Sequence, residues 1–575
     1  MELMDASTRA SHIERMSNQE FDVLVIGGGI TGAGVALDAA ARGYRVALIE
    51  KGDFASATSS KSTKLVHGGI RYLPQFDFAL VREALVERGL LVQNAPFLVE
   101  PLAFLLPLYE DARRPLGVPI APPKGYGLGL LLQSGLWMYD IMAGRLNVAR
   151  HRRVGIEKAL NMAPSLHRQG LKDVYMYYDA QTNDTRLTIT VLKTAVRHGA
   201  LIANYAELTS FTRKPDGKIG GAVVRDHLSD RTLTVRARHV VNAAGIFAQR
   251  VMEMSGDQSK VRVTPSKGVH LLVARERLNL LDTAVVLPET DDGRILFVVP
   301  WGPRAVIGTT DTGEGDLDHP EATPEDIAYL IRHVNRYLDV NLSSDDILSA
   351  YAGYRPLVSS NTSGTTKSLS RTHVVVQEEN GIVTIVGGKL TTYRRMAQDT
   401  VDVLQKRDNM PVARATRRLP LAGAVAWKEA EPEIERQGHE LKLSERTLKE
   451  LKFNYGREAL EVLRLARENP DLAGLLVPDL PYIRAEIIFA CRHEMALTLT
   501  DVLARRTRIT LEDRDRGTTI APAVAAIMAA ELGWSEDRVR GEVENYRQAI
   551  REEIVEEGLA ASDRGGEASM HAHSV

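Results

Sequence analysis

Apolar residues recur along the chain with two spacings, and each spacing predicts a different element. Phe21 to Ile26 is a short apolar run, rich in β-branched residues and ended by glycine, which predicts a strand buried in a parallel sheet. Helical spacing follows, and Arg45 to Ile49 supplies a second strand with Glu50 at its carboxyl end. Phe76 to Leu91, Thr185 to His198 and Glu325 to Leu338 read as helices. Tyr175 to Asp179, Ala206 to Thr212, Ala222 to Arg225 and Val235 to Gly245 read as strands. Lys267 to Val273, Ile295 to Val299 and Ala305 to Asp311 predict a second sheet, and Tyr351 to Val358 is held extended at Arg355 by the proline after it. The proline-rich stretch Pro96 to Pro123 predicts a crossing between domains. Ile382 to Met396 repeats the opening theme of apolar strand, glycine pair and a helix that begins on hydroxyls. After a linker at Met410 to Leu421 the pattern turns helical, at Glu445 to Phe453, Arg457 to Arg467, Pro481 to Arg505 and Ser535 to Glu557. The tail from Ala560 is small and polar and is expected to be disordered.

The first unit carries the clearest chemistry. Gly27, Gly29 and Gly32 fit G-x-G-x-x-G between a strand and a helix, where the glycines allow a tight turn, close approach of a pyrophosphate and close helix packing. Glu50 stands about 20 residues on, placed to accept hydrogen bonds from a ribose diol and to repel a 2′-phosphate. The next segment, Ser56 to Leu73, combines hydroxyls and glycines with Lys61, Lys64, His67 and Arg71, a composition suited to wrapping a polyanion. Small Ala243, Ala244 and Gly245 end a later strand and would let backbone pass close to a cofactor.

With 575 residues the chain exceeds one core and predicts two to four domains. A formal net charge of -2 gives no global attraction to nucleic acid, so any anion must be recognised locally. The single cysteine, Cys491, excludes an internal disulfide and multi-cysteine metal sites, and it reads as a core residue. His493 and Glu494 read as structural, and His571 with His573 do not make a metal site. No apolar signal region opens the chain, and no stretch reaches the roughly 20 apolar residues of a bilayer span. The nearest approach, Gly127 to Met142, has Trp137 and Tyr139 and lies between Arg113, Arg114 and Lys124 on one side and Arg145, Arg150, Arg152 and Arg153 on the other. It fits either a buried helix or a segment lying in a membrane interface.

Several long motifs, in order, carry a family resemblance: GGGITGAG, SSKSTKLVHGGIRYL, IGTTD, YRPL, GGKLTTYR and IRAEIIFACRHEMALTLTDVLARRTRI. From about Phe21 to Glu557 the chain resembles the FAD-dependent glycerol-3-phosphate dehydrogenases, flavoproteins related to D-amino-acid oxidase. The resemblance implies an α/β Rossmann-like FAD domain at 20–410, interleaved with a β-sheet substrate cap at roughly 100–185 and 262–350. It further implies an α-helical C-terminal domain at 411–557, before a tail at 558–575. The implied reaction oxidises sn-glycerol 3-phosphate to dihydroxyacetone phosphate, with hydride passing to flavin N5 and electrons to a membrane quinone. The implied location is the inner face of the cytoplasmic membrane, bound peripherally, with homodimer formation left open. Arg71 and Arg355 are then expected to clamp the phosphate, Tyr72 to line the pocket, His270 to act as base, and Lys389 to sit near the flavin or a substrate oxygen. Expected cofactor contacts are Gly27, Gly29, Gly32, Glu50, Ser59, Ser60, Lys64, Gly68, Gly245, Gly387, Gly388, Lys389, Leu390 and Thr391. A related flavin oxidase using oxygen, and a scaffold with a structural FAD, are the competing readings. The chain departs from the family pattern at Asn183-Asp184-Thr185-Arg186, at Val269 and at Ile246-Phe247.

Overall fold

The computed structural model describes residues 3–112, 114–117, 127–256, 261–313, 315–360 and 372–559, so the tail from Ala560, Arg113 and Lys124 lie outside the described residues. The opening run forms the strand Glu20–Ile26 and the next the strand Val46–Ile49, with the helix Ile30–Ala41 between them. Glu20–Ile26 pairs in parallel with Val46–Ile49 on one side and Arg231–Asn242 on the other. The strand Val383–Val386 extends the sheet beyond Arg231–Asn242, again in parallel. Both faces are covered, which is why Val23 to Ile26 is continuously apolar rather than alternating. Val23 and Val25 enter the core beneath the helices, packing with Ala36 and Val401, whereas Leu24 and Ile26 enter a second core with Ala47 and Leu208. Gly34 lets the helix Tyr393–Arg407 pack close, since a Cβ there would lie 2.8 Å from the Tyr393 ring.

The second sheet is mainly antiparallel. Its long strands Val261–Ala274 and Ile347–Ser360 lie side by side, in register from Val261 opposite Ser360 to Val273 opposite Ile347 with one irregularity. Leu105, Met176 and Leu271 pack to one face beneath the helix Pro324–Tyr337, while Phe104, Tyr177 and Leu272 pack to the other with Leu132 and Leu136. The stretch Pro96 to Pro123 is not simply a crossing, because it contains the sheet strand Val99–Tyr109. Its prolines are tolerated for a geometric reason. The strand is paired on both sides only at Ala103 to Leu105, and Pro101 and Pro107 lie beyond that window, where one edge is open.

Helices dominate the C-terminal region, as the pattern predicts, with two differences. The run Pro481 to Arg505 is not one helix: Ala485–His493 stops, and a wide turn at Asp501–Arg506 follows. Asp501 accepts from Leu497 N at 2.8 Å and Thr498 N at 3.0 Å, so a buried carboxylate supplies the hydrogen bonds that a continuous helix would have made. Helices at Ala6–Asn18, Trp427–Glu440 and Ala521–Leu532 were not announced by the pattern.

Gly127 to Met142 is neither wholly buried nor wholly free. The helix Leu128–Ala143 packs Leu132, Leu136, Tyr139 and Ala143 inward and exposes Leu130 at 73% and Ile141 at 72%. Among the described residues no helix is long and apolar enough to cross a membrane.

Candidate active site

Two adjoining cavities open where the sheets meet. The first lies over the carboxyl ends of the parallel strands and is lined by Gly27, Gly29, Glu50, Ser59 and Ala243 to Gly245, with Gly387 to Leu390 closing it. Gly27 adopts φ of +109°, and a Cβ there would lie 2.7 Å from the Ala243 carbonyl oxygen, so the turn and the neighbouring strand end require glycine. Gly29 caps the helix Ile30–Ala41 without a side-chain hydrogen bond, and of the amides at the helix start that of Ile30 donates to Ser59 Oγ at 2.9 Å, beside the cavity. That is an anion site. Glu50 is fixed by the Gly28 amide at 2.6 Å and the Gly52 amide at 2.9 Å. Burial raises its pKa, and these two amides oppose the rise. A strand-end carboxylate, glycine backbone and a helix N-terminus in one trough suit an adenine dinucleotide.

The expected contacts divide. Gly245, Gly387, Gly388, Lys389 and Leu390 line this trough, and Ser59 lines both cavities. Gly32 does not line it. A Cβ on Gly32 would meet the Gly27 carbonyl at 1.9 Å, so this glycine brings the helix against the turn. Lys64 and Ser60 line neither cavity. The Lys64 ammonium is drawn away to Asp184 at 2.7 Å and to the Ser60 carbonyl at 2.6 Å, and the Ser60 hydroxyl bonds Ala57 O. A buried ammonium takes the nearest carboxylate, and Asp184, in one of the segments that departs from the family pattern, provides it. Gly68 likewise lines neither cavity. Its amide donates to Asp179 at 3.1 Å, and a Cβ would lie 2.5 Å from the Tyr139 hydroxyl.

The second cavity is shared between the loop Thr63 to Tyr72, the second sheet and the segment Gly388 to Thr391. Arg71, Tyr72, His270, Arg355, Lys389 and Thr391 all line it, although they are far apart in sequence. The sheet register is responsible for two of them. Arg355 stands opposite Ser266 and Tyr351 opposite His270, four residues apart on paired strands, hence on one face. Arg355 donates to Thr309 Oγ1 at 2.8 Å and Thr310 O at 3.1 Å, while the carboxylate paired with it, Asp311, is 4.0 Å away. Burial lowers its guanidinium to about 10. Arg71 donates to Tyr72 Oη at 2.8 Å. Lys389 Nζ lies 4.1 Å over the Tyr72 ring, shielded from solvent and without a hydrogen-bond partner among the described residues. Burial, then Arg71, lowers it to about 7. Two arginines and a lysine thus face one cavity.

His270 is buried, stacks on Tyr351 with centroids 4.8 Å apart, and shares a 2.8 Å hydrogen bond between Nε2 and Thr63 Oγ1. Burial, with Arg355 and Lys64 nearby, lowers its pKa well below the usual histidine range. The imidazole is therefore held in its neutral form. Thr391 Oγ1 accepts from the His67 amide at 3.1 Å and so ties the two loops that flank the cavity. The sequence reading missed Thr63, Thr309, Tyr351 and the acid Asp179 behind the Gly68 loop. Thr63 lay inside the loop already singled out, and Asp179 ended a strand already marked, but nothing in a linear pattern signals their partners. Among the described residues no group of acids, histidines and cysteine could hold a metal.

Comparison with known proteins follows this geometry. Residues 22–394 match the family model of FAD-dependent oxidoreductases, and residues 414–539 match that of the C-terminal domain of α-glycerophosphate oxidase. Glycerol-3-phosphate dehydrogenase 2 of Mycobacterium tuberculosis is 38% identical over 95% of this chain and 91% of its own. The mitochondrial glycerol-3-phosphate dehydrogenase of Homo sapiens is 36% identical over 95% of this chain and 75% of its own. The crystal structure of glycerol-3-phosphate dehydrogenase from Bacillus halodurans complexed with FAD superposes with a TM-score of 0.76, at 30% identity, over 96% of this chain and 98% of that one. The trough, the cap sheet and the helical C-terminal region therefore have one family in common, and this chain belongs to the FAD-dependent glycerol-3-phosphate dehydrogenases.

Proposed function

We propose that the chain oxidises sn-glycerol 3-phosphate to dihydroxyacetone phosphate with bound FAD and passes the electrons to a membrane quinone. The observation that carries this reading is the convergence of Arg71, Arg355 and Lys389 on a cavity that adjoins the dinucleotide trough. A phosphate dianion is best held by charge-assisted, bidentate donors, which fits the two arginines. The neutral, buried face that His270 shares with Tyr351 suits the carbon end of the substrate. Gly27, Gly29, Glu50, Ser59, Gly245 and Gly387 to Leu390 hold the cofactor. FAD, when bound, supplies a two-electron acceptor at N5 for the hydride of carbon 2.

The residues divide the remaining work. Arg71 and Arg355 fix the phosphate and so set the distance from it to carbon 2. His270 offers Nε2, the atom bonded to Thr63, as the basic atom. The Thr63 hydroxyl, bonded to Nε2, relays the proton withdrawn from the substrate hydroxyl. Lys389 holds the developing oxygen charge. Tyr72, under the Lys389 ammonium, keeps water from that cation.

Peripheral membrane binding is part of the same proposal. The helix Leu128–Ala143 presents Leu130, Leu131, Trp137, Met138 and Ile141 to the outside, next to Arg145, Arg150 and Arg152. An apolar face with an aromatic anchor and basic flanks suits a bilayer interface, where the quinone acceptor resides.

Anaerobic absorbance of the purified protein tests the reading. Bleaching of the flavin band by sn-glycerol 3-phosphate, with rapid return on adding a quinone analogue, is expected. Rapid return with air alone would assign an oxidase instead, and a yellow protein that never bleaches would remove the substrate.

A further inference from the structure

A separate cavity of about 660 Å³ lies beside the exposed apolar helix, away from the site above. Its wall includes Leu90, Ile141 and Leu146, and Ile141 belongs both to this wall and to the outer face of Leu128–Ala143. Four arginines line it, Arg82, Arg145, Arg417 and Arg418. They come from three segments: the helix Phe78–Asn94, the end of the apolar helix, and the linker before the C-terminal helices. Folding brings them together. No acid lines this cavity, and among the described residues no ion pair joins any of the four to a carboxylate. Two acids stand in the adjoining groove that Arg82 and Arg417 also line: Glu87, which pairs with Arg394 at 2.5 Å, and Glu83, 3.7 Å from His373. On a chain of formal charge -2, four arginines lining one cavity that holds no acid are a local feature with no counterpart in the overall charge.

We propose that this cavity binds the phosphate headgroup of an anionic phospholipid, with the acyl chains leaving past Ile141 along the exposed face of the helix. The inference rests on the peripheral-membrane reading above and deepens it. Arginines match a phosphodiester in charge and hydrogen-bond geometry. The apolar wall matches what adjoins that headgroup in a lipid and would be useless to a free inorganic anion. Each cation held near an anionic membrane surface strengthens binding to it. Four of them should make the chain prefer anionic over zwitterionic bilayers by a large factor.

The test uses the full, FAD-loaded chain in three arms. In the first, sedimentation with phosphatidylglycerol vesicles and with phosphatidylcholine vesicles is compared at physiological salt; at least tenfold preference for the anionic lipid is expected. In the second, Arg82→Gln with Arg145→Gln, Arg417→Gln and Arg418→Gln should reduce that preference at least fivefold while leaving binding to phosphatidylcholine, flavin content and flavin bleaching unchanged. In the third, a short-chain phosphatidylglycerol below its micelle concentration should bind saturably, one per chain, and resist displacement by an equal concentration of inorganic phosphate.

Retained preference in the four-arginine variant, or displacement by phosphate, would overturn the headgroup assignment. The double variant Trp137→Ser with Ile141→Ser addresses the underlying reading alone, and should weaken binding to both lipids. If the wild-type chain binds both lipids equally, peripheral binding stands and the pocket is refuted. If it binds neither, both fall together.

Discussion

Lys389 shows how one residue is set for function at a cost to the fold. Among the described residues its ammonium has no acid partner, and burial followed by Arg71 holds it near a pKa of about 7, against 10.5 for an ordinary lysine. Between those values the unfolded chain binds a proton that the folded chain does not, so stability from this group rises with pH across that window and is reduced below it. A bound phosphate ester reverses the preference by favouring the cation. The apparent kcat/KM should therefore fall as pH rises through about 7, and Lys389→Arg, which stays charged, should flatten that limb; an unaltered limb would mean that another group titrates. Arg355 makes a different prediction, because its charge is fixed at any working pH. Arg355→Leu should raise KM about 10- to 100-fold, the loss of about 1.5–3 kcal/mol of charged hydrogen bonding, with flavin content unaffected. Wild-type KM in that variant would remove Arg355 from the clamp. His270→Ala should slow flavin reduction by about 10²- to 10⁴-fold in stopped flow, and an unchanged rate would remove it as the base.

At the scale of elements, the loop Gly68 to Tyr72 is held from behind by the apolar helix. Tyr139 on that helix donates to Asp179 at 2.8 Å, and the same carboxylate accepts from Arg88 at 2.6 Å and from the Gly68 amide at 3.1 Å. The cluster is fully buried, and its three donors balance one acid. Tyr139→Phe removes one donor while keeping the ring packed against Tyr177. It should destabilise the protein by about 1 kcal/mol and raise KM through a loosened Arg71, with kcat for bound substrate nearly preserved. Equal loss in kcat and KM would point to a global effect. The strand Val99–Tyr109 makes the same point about context. Its prolines advertise a linker in the sequence, yet they fall where only one neighbour requires their amides.

At the scale of the whole molecule, the helical C-terminal region is bound to both sheets by buried charges. Asp53, beyond the first glycine turn, accepts from Arg506 at 2.6 Å and from Arg505 at 2.5 Å. Burial alone would raise its pKa; Arg506 and Arg505 outweigh that and hold it at about 2. A carboxylate depressed in this way stabilises the fold above its unfolded value and loses that contribution as pH falls from about 4 toward 2. Glu494 pairs with Arg186, and on the other sheet Trp301 donates to Glu512 at 3.0 Å. Removing one partner of a buried pair leaves a charge uncompensated, so Asp53→Asn should cost about 3–5 kcal/mol. Thermal unfolding and limited proteolysis between residues 410 and 427 measure it; an unshifted transition would show that apolar packing alone holds the region. His493 and Glu494 are structural, as the sequence reading expected, and Cys491 is a buried core thiol that burial pushes up to about 12.

The sequence by itself determined the dinucleotide unit, because its parts are local: a strand, three glycines, a helix and Glu50 fall within 31 consecutive residues, Glu20 to Glu50. It also determined the helical character of the C-terminal region, through periodicity, and which arginines, histidine and lysine to watch. Tertiary structure alone decided which of the watched residues meet. Arg71, His270, Arg355 and Lys389 come together only because strand register fixes their faces and two loops close over them. It also decided that Lys64 faces Asp184, since a buried ammonium goes to the nearest acid and that acid is 120 residues away in sequence. Local pattern records backbone preference and burial; the pairing of distant charges leaves no periodic trace along the chain.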